Sequence, residues 1–224
     1  MTPDSRHQRR VLTATGISGA GLLGASLSAR AGSRRFYLLT AGLAVSWAGG
    51  ALAAGPLPLG RAPGHGGATR HQVVVPVLIG AGGFGLFYGA ARIARHIPVL
   101  DRAITAVLRY EADGSAPFVL LTASANAVAE ELFFRGALWS LTERVHPLTT
   151  TTLAYTATTA VARTPALTIA GAVTSVLFGL QRRASGGVLA PALSHLTWSL
   201  LMLNYLPPLF DTPARPRPPA GTLN

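Results

Sequence analysis

The sequence predicts an all-α, polytopic integral membrane bundle with about seven candidate transmembrane helices. Three observations predict it. Uncharged apolar runs near bilayer length recur along the chain, residues 11–29 and 36–54 among them. Charged residues make up 12% of the 224 and hydrophobic ones 49%; that charged share is about half of the ~25% usual in globular domains. One membrane-length stretch, 117–141, carries Glu130, Glu131 and Arg135 near its middle. Each such charge costs roughly 2.5–3.5 kcal/mol at the bilayer centre, so the cluster has to face a protein interior or a wet cavity, and it marks a functional site.

Taken in order, residues 1–10 form a basic lead with Arg6, Arg9 and Arg10, and 11–29 is the first expected span. Arg30, Arg34 and Arg35 break the apolar pattern before the second span at 36–54. Residues 55–71 are rich in Pro and Gly and are expected to be a loop. The third run, 73–91, contains Gly80, Gly82, Gly83, Gly85 and Gly89, and small residues let helices approach closely in lipid. From 92 to 110, Arg92, Arg95, Arg102 and Arg109 alternate with apolar residues, which predicts an amphipathic helix at the membrane interface. Residues 111–115 make a turn into the 117–141 helix. The Thr- and Ala-rich run 149–161 is short for a span. Pro165 suits the start of the next helix, over 166–180. The last apolar helix, 188–206, carries His195, and the Pro-rich 207–224 is expected to be a disordered tail. The organisation is thus a lead (1–10), membrane helices with an interfacial segment (11–110), a helical core (111–206) and a tail.

The net charge of +11 comes from 19 arginines, with no lysine, against 8 acidic residues. Nucleic acid is excluded as a partner because the arginines sit in the breaks between apolar runs, not on one stripe. Their near balance between alternate loops leaves the orientation open. With no cysteine, there is no disulfide framework and no thiol chemistry.

Helical geometry sorts the charge cluster. Glu131 and Arg135 are spaced i, i+4 and share a face. Asn126 and Glu130 have the same spacing on a face turned by about 100°. Glu131 can therefore be neutralised on its own helix, whereas Glu130 has no such partner.

The run Glu130-Glu131-Leu-Phe-Phe-Arg135-Gly136 resembles the Glu-Glu-x-x-x-Arg signature of the CPBP family. These are intramembrane proteases related to the CAAX prenyl endopeptidases and to bacteriocin-processing and self-immunity proteins. His195-Leu-Thr-Trp-Ser199 resembles the family's late motif, with Ser199 where Asn is commoner. The resemblance extends over 117–205. The family's middle motif, an aromatic followed four residues on by His, has two placements here. Tyr155 leads to Thr159 and Phe178 leads to Arg182; the first is preferred for its distance from the signature, and under both the second histidine is missing.

The resemblance implies an integral, multi-pass protease of a bacterial cell membrane. Its substrate would be a membrane-embedded or lipidated peptide. Glu130 would act as the base on water, Glu131 and Arg135 would fix the helix and its field, and His195 with Asn126 would donate to the oxyanion. Thr159 and Ser199 would support the site. No cofactor is expected. Zinc is disfavoured, since a catalytic zinc takes three protein ligands and the second histidine is absent. Two other readings stand beside this one: a catalytically impaired protein of the same fold that binds or escorts membrane partners, and a small proton-coupled transporter using the glutamates as a relay.

Overall fold

The computed structural model describes residues 3–60, 68–112 and 115–210, and every regular element among them is helical. In chain order these are α1 (Pro3–Leu27), α2 (Arg34–Ala53), α3 (Ala68–Ala94), α4 (Pro98–Ala112), α5 (Ala116–Thr142), α6 (Pro147–Ala160), α7 (Pro165–Ser185) and α8 (Leu189–Tyr205). A short 3₁₀ turn, Pro207–Phe210, follows. It falls in the stretch expected to be a tail, and its Phe210 packs with Ala91, Leu108 and Leu206. The rest of that stretch, 211–224, lies outside the described residues, as do 61–67 of the expected 55–71 loop.

The protein is an all-α membrane bundle. Three helical stretches are long and apolar enough to cross a bilayer: Arg34–Ala53, His71–Ala94 and Ala116–Thr142. The other apolar runs of the expected seven fall short of that combination of length and hydropathy among the described residues. The bundle's outer faces carry Leu38, Val45, Leu78, Leu86, Leu121 and Ile169, all exposed. Large apolar side chains spread over several helices suit a lipid environment better than water.

α1 lies along α2, α3 along α8, and α6 along α7. α5 packs against both α2 and α8 and has the largest buried share of the three membrane-length helices, 39% against 22% and 11%. α5 follows its N-cap residue Ser115 and has Pro117 in its first turn, where a proline costs no hydrogen bond. α2 then grips it at three levels. Tyr37 Oη accepts from Ser115 N at 2.8 Å, Thr40 O accepts from Asn126 Nδ2 at 3.0 Å, and Trp47 packs on Phe133 and Phe134 at 4.5 and 5.2 Å between ring centroids.

The arginine-spaced segment differs from expectation at its start. α3 runs on to Ala94, and the amphipathic helix begins only at Pro98. Pro98 has no N–H to continue the α3 ladder, but it fits a first turn. α7 and α8 are joined by Gly186, in the left-handed region at φ 73°, and by Gly187, whose Cα lies against the Gly60 backbone. Val188 N donates to Pro58 O at 2.9 Å, which closes the end of the bundle over this turn.

Candidate active site

The signature residues occupy a break in α5. Residues Ala116–Glu131 are α-helical, Leu132–Leu138 form π turns, and α geometry resumes at Trp139. Such π segments are rare and often sit at functional sites, because they shift side chains and carbonyls out of the regular ladder. Here the Arg135 carbonyl accepts a bond from Arg182 Nε at 2.8 Å. The Arg182 guanidinium also covers the Trp139 ring at 5.6 Å. Arg182 therefore pins the irregular turn from α7.

Glu131 and Arg135 are both fully buried. Arg135 Nη1 donates to Glu131 Oε1 at 3.0 Å, and His195 Nδ1 reaches the same oxygen at 2.9 Å from α8. One carboxylate oxygen is thus shared between a guanidinium and an imidazole. The guanidinium lies over the Tyr155 ring at 4.9 Å and the Phe178 ring at 5.7 Å. Phe178 also stacks on His195, 4.9 Å between centroids at 28°. α5, α6, α7 and α8 thus each contribute to one cluster.

Glu130 stands apart from that ion pair. It is only partly buried, and its Oε2 accepts from the Tyr155 hydroxyl at 2.6 Å. Beside it, several fully buried polar atoms have no protein partner: Glu131 Oε2 and Arg135 Nε and Nη2. Unpartnered buried donors and acceptors are costly and uncommon. All three are sealed inside the cluster, next in sequence to a partly open carboxylate.

The supporting residues of the sequence reading are placed otherwise. Asn126 Nδ2 donates to Thr40 O of α2 at 3.0 Å and to Thr122 O, one turn back on α5, at 2.8 Å, so both amide hydrogens are taken by backbone carbonyls. The described hydrogen-bond partner of His195 is Glu131. Thr159 is buried one turn after Tyr155, but its hydroxyl donates to Thr156 O at 3.0 Å and its side chain packs on Gly171 of α7. Ser199 is half-buried one turn after His195 and makes none of the cluster's hydrogen bonds. The residues absent from the sequence reading of the site are Tyr155 as partner of Glu130, Phe178 as platform for His195, and Arg182 as pin. Both aromatics stood in the two candidate middle motifs; the hydroxyl on Tyr155 was the signal.

Among the described residues no group of three or more His, Cys, Asp or Glu is placed to hold a metal. The carboxylate nearest His195 is already shared with a guanidinium.

Ionisable side chains held together inside a helical membrane bundle define an intramembrane site. Residues 112–201 match the family model for the type II CAAX prenyl endopeptidase Rce1-like proteins. Every member of the buried cluster falls within that match, and the similarity agrees with the CPBP resemblance. No curated protein and no solved structure matches the chain.

Proposed function

We propose that the protein hydrolyses a peptide bond in a membrane-embedded or lipidated peptide, using a water activated by Glu130. The carrying observation is the division of labour between the two glutamates. Glu131 is fully buried and committed to Arg135 and His195, whereas Glu130 is partly exposed and, among the described residues, accepts from the Tyr155 hydroxyl. In this reading Glu130 takes a proton from water as its oxygen bonds to the scissile carbonyl carbon. Glu130 then returns the proton to the amine as the C–N bond breaks. Arg135, fully enclosed against Glu131, holds that carboxylate and adds its positive charge to the field in which the oxyanion forms. The Glu131–Arg135–His195 cluster holds these groups in place. No step is routed through a metal. The protein would work as a multi-pass protein of a bacterial membrane.

The test is cleavage of a fluorogenic membrane-inserted peptide by the purified protein in liposomes. Glu130→Gln should remove turnover while leaving the protein folded. Cleavage by the wild type that survives Glu130→Gln overturns the mechanism. If the folded wild type cleaves nothing, the binding or escort reading replaces it.

A further inference from the structure

We propose that Tyr155 is the positioning residue for the base Glu130 and, in this chain, does the work left open by the missing histidine. The inference rests on the proteolytic reading above and adds to it a residue that neither the signature nor the late motif contains.

Position four residues after Tyr155 is where the sequence leads one to look for a second polar group. Thr159 stands there, and its hydroxyl is spent on a backbone carbonyl. The polar group that meets a catalytic carboxylate from α6 comes instead from the aromatic itself. The 2.6 Å separation between Tyr155 Oη and Glu130 Oε2 lies in the short range, about 2.5–2.7 Å, typical of a hydroxyl on an ionised carboxylate.

The hydroxyl is held there by its ring. Tyr155 is 7% exposed. The Phe134 ring meets it edge-on at 4.9 Å and 79°, and the Arg135 guanidinium covers it at 4.9 Å. Both clamps come from the π turns of α5, immediately after Glu130. The same irregular segment that sets Arg135 against Glu131 therefore also aims Tyr155 at Glu130. A phenol fixed on Oε2 leaves Oε1 to receive the proton of water. The phenol acts through Glu130 alone and keeps its own proton throughout. A phenylalanine at this position would preserve the ring packing and lose only the hydroxyl.

The experiment compares wild type, Tyr155→Phe and Glu130→Gln as purified, lipid-reconstituted full chain, with the fluorogenic membrane peptide as probe. Tyr155→Phe should lower kcat by about 10–10²-fold, the effect of losing one hydrogen bond to a charged group. KM and the unfolding midpoint should stay near wild type, because the ring contacts remain. An unchanged kcat, or a fall matched by lost stability, overturns the assignment. Infrared spectra of the same three proteins provide a readout independent of turnover. The Glu130 carboxylate band, identified by its loss in Glu130→Gln, should shift in Tyr155→Phe. If wild type cleaves no peptide, the proteolytic reading fails on its own, and the band then decides: a shift supports Tyr155 as the residue that positions Glu130, and an unmoved band rejects it.

Discussion

His195 Nδ1 lies 2.9 Å from Glu131 Oε1, the same oxygen that Arg135 Nη1 reaches at 3.0 Å. The late imidazole thus completes a buried cluster with the second glutamate, not the first. One carboxylate ties α5 to α8 and is fully enclosed, which leaves its neighbour, a single residue earlier, as the group with room for chemistry.

Arg135→Met should destabilise the protein by roughly 3–5 kcal/mol, because it leaves the buried Glu131 without its cation. Glu130→Gln should cost under about 1 kcal/mol, since the amide oxygen can still accept from Tyr155. Unfolding midpoints in detergent separate the two, and equal losses would contradict the division of roles.

His195→Ala should destabilise by about 1–3 kcal/mol by removing a bond between helices to a buried carboxylate. Ser199→Ala should stay within about 0.5 kcal/mol. Measured side by side, a Ser199 effect as large as that of His195 would place the late motif's second residue in the cluster after all.

Arg182→Met should cost about 1–3 kcal/mol, because the displaced Arg135 carbonyl loses its partner on α7. Arg182→His should not raise cleavage, since the described contacts of Arg182 are with Trp139 and the Arg135 carbonyl. A gain in turnover from Arg182→His would move the middle motif to Phe178.

Glycines of α3 should separate sharply on substitution. A Cβ at Gly80 would stand 2.5 Å from Ser194 O and 2.9 Å from Thr197 Cβ on α8, whereas one at Gly82 meets nothing within 4 Å. Gly80→Ala should therefore cost about 1–3 kcal/mol, because the facing backbone cannot give way. Gly82→Ala should be neutral or slightly stabilising, as alanine favours a helix by up to ~1 kcal/mol over glycine. Thermal unfolding of the two variants checks the contrast.

By itself the sequence determined the helical membrane class and the neighbourhood of the site. Apolar runs, scarce charge and a membrane-length stretch holding Glu130, Glu131 and Arg135 are local properties, and so is the i, i+4 spacing that brings Arg135 to Glu131. What the sequence could not determine is which group from another helix meets which carboxylate. That depends on helix rotation and on the π turns at Leu132–Leu138, which re-aim every side chain after Glu131 and have no simple periodic signal. Tertiary packing therefore assigned His195 to Glu131 and Tyr155 to Glu130, and spent Asn126 on α2 and Arg182 on a displaced carbonyl. It also selected Gly80 from a row of five similar glycines, because only the facing backbone of α8 tells them apart. Spacing along one helix is fixed by its pitch, but contact between helices is fixed by the packing of the whole bundle.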